Sequence, residues 1–341
     1  MKTALITGIS GQDGYYLAHL LSGKGYEVHG VSRTPALVRD LEFVHLHGAN
    51  LTDRNRLLEL VEEVRPDEIY NLGAQSHVGS SFDQAEYTGD VDGLGVIRLL
   101  DSLRAAGLAD RTRFYQASSS ELYGLVQEVP QSESTPFHPR SPYGVAKLYA
   151  YWTVVTYREA YGIHASNGIL FNHESPRRPT TFVTRKISQA AARISLGLQD
   201  KVSLGNLNAR RDWGHAREYV EAMWRMLQHP APDDYVVATG TQFSIRDFVA
   251  EAFRAVGIEL EWEGEDVHEV GRDSKTGIVR VDVDPAFFRI ADVENIVGDA
   301  TKAKLNLNWE PKFTLKDIVC EMVESDLKLA ESESLLMRSE S

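Results

Sequence analysis

The segment TGISGQDG, residues 7–14, constrains the fold more than any other stretch of this chain. It follows a short apolar run, TALITG, and opens an amphipathic one, DGYYLAHLLSGKG. Strand, glycine loop and helix in that order make the phosphate-binding turn of a dinucleotide fold. Gly8 permits the tight turn, Gly11 lets backbone approach a pyrophosphate, and Gly14 lets helix and sheet pack closely. The unpaired N–H groups of the helix start then face the anion.

Short apolar runs alternate with helical patterns over the first 160 residues or so, as parallel βαβ units do. EVHGVSR, FVHLHG, EIYNLGA, RFYQASS and HASNGILFN read as further strands, and RNRLLELVEEV and GVIRLLDSLRAAG as helices. Ser141 is a good N-cap with Pro142 at the first helical position, and that helix ends by Gly162. The remainder is irregular and rich in Arg, Pro and aromatics, with DYVVATG as one more strand. The reading is an α/β chain: a Rossmann-type doubly wound parallel sheet with a smaller, interleaved C-terminal substrate domain. Residues 1–165 make the dinucleotide domain, with later returns to the sheet around 166–172 and 234–240. Residues 173–330 mainly make the second domain, and 331–341 read as a flexible tail.

With 341 residues, 43% of them hydrophobic, the chain can fill one large α/β domain or two modest ones. Its charges are mixed and its net charge is -13, so no basic nucleic-acid face is expected and any phosphate site must be locally basic. The single cysteine, Cys320, reads as a structural thiol. No apolar run reaches the ~20 residues of a membrane span. MKTALITG runs straight into a strand, so a soluble cytoplasmic protein is expected.

The end of the second strand selects the cofactor. An acidic residue there would hold the ribose hydroxyls of NAD. VHGVSRT instead offers Arg33 between Ser32 and Thr34, which suits the 2′-phosphate of NADP.

The chemistry is carried by two segments, YQASSSELYG and SPYGVAK. Ser119 and Glu121 follow the fifth strand, at the sheet edge where ligands bind. Alone, SSSE reads equally well as a helix cap. Tyr143 and Lys147, four apart, project from one helix face. The lysine is expected to hold the phenol partly ionised, making a base for an alcohol proton. Glu121 adds a second acid/base. His77, His173 and His215 lie in polar stretches, and no spacing makes a metal site. His173, beside Asn172, is the histidine best placed to touch the cofactor.

Together with PRSPYGVAKLYAYW, NGILFNHESPRR, FVTRKIS, LGNLNARRDWGHAREYVEAMW and DPAFFR, these segments resemble the extended short-chain dehydrogenase/reductases. Within that group they are similar to the GDP-mannose 4,6-dehydratases almost end to end. The resemblance implies NADP as cofactor and GDP-mannose as substrate. It implies that Tyr143 takes the C4 hydroxyl proton and Glu121 the C5 proton, with acid help from Glu121 or Ser119 as water leaves C6. The family's cofactor contacts fall on Gly8, Ile9, Ser10, Gly11, Gln12, Asp13 and Gly14, and on Arg33, Asn50 and Leu51. Further contacts fall on Leu72, Gly73, Ala74, Gln75, Ser76, Tyr87, Tyr143, Lys147, His173 and Arg178. Its nucleotide-sugar contacts fall on Ser81, Asn172, Val183, Lys186, Arg211 and Arg289, beside Ser119 and Glu121. Ser119 stands where the family has Thr, Asn50 where it has Asp, and Pro179 where it has Gly. The resemblance also implies a homo-oligomer, either a tetramer built as a dimer of dimers or a dimer. A nucleotide-sugar 4-epimerase or 4-ketoreductase, and a non-enzymatic NADP-binding scaffold, are the alternatives. Neither needs a C5 base, so Glu121 argues against both.

Overall fold

The computed structural model describes residues 1–287 and 295–339. Its strands are β1 (Thr3–Thr7), β2 (Glu27–Ser32), β3 (His45–Gly48), β4 (Glu68–Asn71), β5 (Arg113–Ser119), β6 (Ala165–Leu170) and β7 (Asn172–Glu174). They continue with β8 (Val202–Leu204), β9 (Arg210–His215), β10 (Asp234–Val237), β11 (Gln242–Ser244), β12 (Leu260–Glu263), β13 (Val270–Asp273) and β14 (Val279–Val283). The helices are α1 (Gln12–Gly23), α2 (Arg54–Val64), α3 (Val78–Ser81), α4 (Ala85–Thr88), α5 (Gly95–Ala105) and α6 (Pro142–Tyr161). After them come α7 (Val183–Ser195), α8 (Ala216–Gln228), α9 (Ile245–Ala255), α10 (Thr301–Leu307) and α11 (Leu315–Ser339).

Seven parallel strands make the central sheet, in spatial order β10-β6-β5-β4-β1-β2-β3. β4, β6 and β10 are buried along their whole length, as strands covered on both faces must be. Leu17 and Leu21 of α1, with Met223 and Met226 of α8, cover one face. Leu57 of α2, Leu99 and Leu103 of α5 and Val154 of α6 cover the other. The chain starts at β1, builds outward through β2 and β3, then crosses to β4. The switch point between β1 and β4 is where such sheets bind ligands.

After β6 the chain leaves the sheet. β7 joins β9 and β11 in one small sheet, and β8 joins β12, β13 and β14 in another. Ile187 of α7, Phe248 and Phe253 of α9, and Ile318 and Met322 of α11 form a separate core beside them. β10 then returns to the main sheet beside β6. Segment 331–341, expected to be a flexible tail, instead continues α11 as far as Ser339. Packing explains the difference: Ala330 is buried, and Glu333 forms an ion pair with Arg193 of α7. Among the described residues, no helix is long and apolar enough to cross a membrane.

α6 carries Tyr143 and Lys147. Ser141 Oγ accepts from Gly144 N at 3.0 Å, and Pro142 occupies the first turn. Gly162 ends the helix with φ 67°, a left-handed C-cap.

Candidate active site

The loop after β1 leaves no room for side chains at two of its glycines. Gly8 has φ 69°, and a Cβ there would lie 2.8 Å from Gly73 N. A Cβ on Gly14 would lie 2.5 Å from Gly8 O. The turns after β1 and β4 are therefore pressed together at the switch point. Gly11 caps α1 without a side-chain hydrogen bond, which leaves the first N–H groups for an anion. Ile9 is buried under the loop, while Ser10 and Gly11 are exposed.

The next two residues fasten the loop to β7 and the residue after it. Gln12 Nε2 donates to His173 O at 3.0 Å, and Ser175 Oγ donates to Gln12 Oε1 at 2.7 Å. Asp13 Oδ2 and His173 Nε2 lie 2.9 Å apart. His173 Nδ1 donates to Phe171 O at 2.8 Å, and the ring stacks on Tyr219. Burial alone would raise the Asp13 carboxyl, but the charge and hydrogen bond of His173 bring it below its ordinary value. Burial would lower His173, and Asp13 raises it above its ordinary value. Both ring nitrogens of His173 are thus engaged by protein, so it acts here as a tether of the cofactor loop.

Under the loop runs a buried polar chain. Thr7 Oγ1 accepts from Leu72 N at 3.1 Å and Gly73 N at 3.0 Å, and donates to Asn71 Oδ1 at 2.6 Å. Asn71 Nδ2 donates on to Gln116 Oε1 at 2.7 Å. This chain aligns the ends of β1, β4 and β5. Beyond β2, Arg33 Nη1 donates to Tyr87 Oη at 2.7 Å on an exposed surface. Two of the expected cofactor contacts are therefore adjacent. Asn50 Oδ1 accepts from Thr52 N at 3.2 Å, and Leu51 is buried against Gly73 and Gly95. Ala74 is half-buried and Ser76 exposed after β4.

Ser119, Glu121, Tyr143 and Lys147 come together at the ends of β5 and α6. Ser119 Oγ accepts from Glu121 N at 3.2 Å, capping a short 3-10 turn. The Ser119 hydroxyl and the Glu121 carboxylate both act on the Tyr143 phenol, the first lowering and the second raising its pKa. Lys147 is buried, with Nζ 5.7 Å from the centroid of the Tyr143 ring and donating to Ala117 O at 3.0 Å. Burial, the Asp92 charge and the Glu121 charge raise the Tyr143 pKa, outweighing Ser119 and Arg178, which lower it. The expectation of a partly ionised phenol fails here, because burial and two carboxylates dominate. Burial lowers the Lys147 pKa too, against the opposing pull of Asp92 and Asp13.

The chain matches the family described as GDP-mannose 4,6 dehydratase over residues 5–322. It is 55% identical to the human GDP-mannose 4,6 dehydratase over 342 residues, covering 96% of this chain and 92% of that protein. The chain belongs to the GDP-mannose 4,6-dehydratase family. Its fold is shared more widely. A UDP-glucose 4-epimerase from Thermotoga maritima, solved with UDP-glucose, superposes with a TM-score of 0.81 at 22% identity, covering 96% of this chain and 99% of that one. RMD from Pseudomonas aeruginosa, complexed with NADPH, gives 0.77 at 23% identity, covering 96% and 100%.

In this member of the GDP-mannose 4,6-dehydratase family most of the expected sugar-binding residues come from segments after β6. Asn172 opens β7 and Val183 opens α7, both half-buried. Lys186 Nζ donates to Ser203 O at 2.8 Å and lies 3.7 Å from the centroid of the Phe287 ring. Arg211 is buried on β9, with Nη1 donating to Arg210 O at 2.7 Å. Arg178 pairs with Glu174 at 3.1 Å and lies over the Phe182 ring. Ser81 departs from the expectation. It is wholly buried, its hydroxyl turned back to Val78 O at 2.6 Å, because it sits on the inner face of a single-turn helix. Arg289 lies outside the described residues. His77 and His215 cap helices, accepting at Nδ1 from Ser80 N and Arg217 N.

One residue escaped the sequence reading. A π-helical turn over Gly89–Leu94 leads into α5 and carries Asp92, which is 2% exposed. Its Oδ1 accepts from Gln75 N at 2.7 Å, while Oδ2 has no hydrogen-bond partner. Burial pushes its carboxyl up to about 6, against the Lys147 charge that opposes it. Asp92 thus links the turn after β4 to the Tyr143–Lys147 pair. Its signal in the sequence is weak, since DVDGLG reads as an ordinary helix start.

Proposed function

We propose that this chain converts GDP-D-mannose to GDP-4-keto-6-deoxy-D-mannose and water, as an NADP-dependent hydro-lyase of deoxysugar biosynthesis. The observation that carries this reading is the convergence of Glu121 and Ser119 on the Tyr143 phenol, with Lys147 behind it. An alcohol oxidation needs only the phenol and lysine. Elimination beside the new ketone needs a second proton acceptor, and Glu121 is that group.

The loop fits a dinucleotide: Gly8 and Gly14 admit no side chain, α1 offers uncapped N–H groups, and Arg33 stands at the end of β2. NADP held by these residues would supply a reversible hydride acceptor for the sugar carbons. Tyr143 takes the C4 hydroxyl proton, with Lys147 and Ser119 holding the phenol in place. Glu121 removes the C5 proton, made acidic by the C4 ketone, and passes it to the departing C6 hydroxyl, which leaves as water. A proton returns to C5 as hydride reaches C6, balancing the one Tyr143 removed. Asn172, Lys186 and Arg211 are our candidates for holding the nucleotide sugar, the two cations answering its diphosphate.

We also propose that residues 1–165, with the returns at 166–172 and 234–240, serve the cofactor and that 173–330 mainly serve the sugar nucleotide. The separate core of α7, α9 and α11 supports that division. A cytoplasmic setting and a homo-oligomer complete the proposal. The lone half-buried Cys320 suits a reducing compartment. A stripe of exposed apolar side chains on α6 supports self-association.

The test is incubation with GDP-mannose and NADP, with mass spectrometry of the product. Loss of one water supports the dehydratase. An isomer of unchanged mass would point to an epimerase, and no turnover to a binding protein.

A further inference from the structure

Where β2 meets the edge strand β3, four polar side chains gather away from the catalytic residues. His29 stands opposite His45 in the parallel register. The strand period of two then puts Glu27, His29, His45 and His47 on one face. Glu27 Oε1 lies 3.6 Å from His29 Nε2 and 3.6 Å from His45 Nε2. One ligand atom from each of Glu27, His29 and His45 falls within 4.8 Å of the others. A separation of 3.6 Å is long for a hydrogen bond. It is close to the ~3.4 Å between two donors held tetrahedrally around one ion at about 2.0–2.1 Å.

The far side of His29 gives a second, independent observation. His29 Nδ1 lies 2.9 Å from His47 Nε2. An imidazole that ligates a metal typically donates its other N–H to an outer partner, which fixes the tautomer. Donation of Nδ1–H to His47 would leave Nε2 of His29 bare on the Glu27 side, ready for a cation held between the two. Thr3 Oγ1 lies 3.5 Å from Glu27 Oε2, on the side away from the histidines. Glu63 of α2 adds negative charge nearby, and Arg56 is paired with Glu59 and Glu63.

We propose that Glu27, His29 and His45 bind one divalent transition-metal ion of the zinc class, with His47 as the outer partner of His29. Water completes the shell on the open side, where His45 is exposed. The ion clamps β3, the edge strand, to β2. It sits toward the amino end of β2, whereas Arg33 follows the carboxyl end, so the site stabilises the sheet and takes no part in the chemistry. The sequence analysis expects no metal site because spacing along the chain does not show which strands become neighbours. The ligands here come from E-x-H and H-x-H pairs on neighbouring strands, which meet only through parallel register.

The experiment uses the untagged full chain, freed of metal with a chelator and dialysed. Zn2+ is titrated by calorimetry and Co2+ by visible absorbance. One ion per chain is expected, with the intense visible bands of a tetrahedral Co2+ site and a rise in melting temperature with Zn2+. His45→Ala and Glu27→Gln should each weaken binding by more than about 100-fold, and His47→Ala by about 10–100-fold. Circular dichroism checks that each variant is folded, and turnover of GDP-mannose by His45→Ala should match the parent in metal-free buffer. Zn2+ binding that survives His45→Ala and Glu27→Gln, or the absence of any stoichiometric binding by the parent chain, overturns the proposal.

Discussion

Asp13 Oδ2 meets His173 Nε2 at 2.9 Å, joining the first turn of α1 to β7. The cofactor loop is thus held by a charge pair that spans the two parts of the chain. His173 has a raised pKa, so its contribution is complete below about 6.5 and fades as pH rises through the folded value. Asp13 has a lowered pKa, so its contribution is present above about 3.8 and is lost as pH falls through the folded value. The pair therefore stabilises most between those limits. His173→Asn should lower stability by roughly 1–3 kcal/mol near pH 5, with a smaller loss in strong acid and in alkali. Thermal melts across pH measure this. A loss of stability that is flat with pH would mean the contact is packing alone.

Glu121→Gln separates the two halves of the proposed reaction. The amide keeps the shape beside Tyr143 but cannot take a proton from C5. C4 oxidation should proceed and elimination should stall, so reduced cofactor absorbance accumulates on mixing with GDP-mannose. Overall turnover should fall by about 10²–10⁴-fold, the usual size of a lost general base. Normal turnover in this variant would remove Glu121 from the C5 step.

Much of this site was legible because its parts are local. The glycine loop, the Ser141–Pro142 helix start and the Tyr143–Lys147 pair are set by spacing within one strand or helix, and each appears where its spacing puts it. What spacing could not show is contact between distant segments. The tethering of Gln12 and Asp13 to His173 and Ser175 joins residues 160 or more apart along the chain. The inward turn of Ser81 depends on a one-turn helix that its short sequence does not announce. The phenol's protonation followed the same pattern. The lysine was visible four residues away, but Asp92, about fifty residues upstream, was not, and its charge acts on the same phenol.

Asp92 gives a prediction with a definite sign. Its carboxyl is raised to about 6 from an ordinary 3.8, so burying it ionised costs stability at neutral pH. The stabilising protonated form is complete below about pH 4 and is lost as pH rises through about 6. Asp92→Asn mimics that form and keeps an oxygen for Gln75 N. It should raise stability at pH 8 by about 3 kcal/mol, on the order of 1.4 kcal/mol per pKa unit, and change little near pH 4. Turnover should fall, because Lys147 loses the largest charge that opposes its desolvation. Denaturant melts at the two pH values, paired with kcat, measure both effects. Equal stability changes at both would show that Asp92 is uncharged throughout.

The outer face of α6 carries Val145, Tyr149 and Trp152, exposed by 56%, 45% and 54%, with Leu94 exposed by 43% just before α5. Positions i, i+4 and i+7 form one stripe along a helix. Large apolar side chains aligned in water mark an interaction surface. A second copy of the same helix, related by a two-fold axis, would cover it with an identical stripe. Tyr149→Asp with Trp152→Asp places two like charges at the centre of that contact. Light scattering after size exclusion should then report a monomer, where the parent chain reports a dimer or tetramer. The Tyr143 and Lys147 side chains leave α6 on its buried side, so NADP binding should persist in the variant. An unchanged oligomer would move the interface to another face, and a monomeric parent chain would leave the stripe without this role.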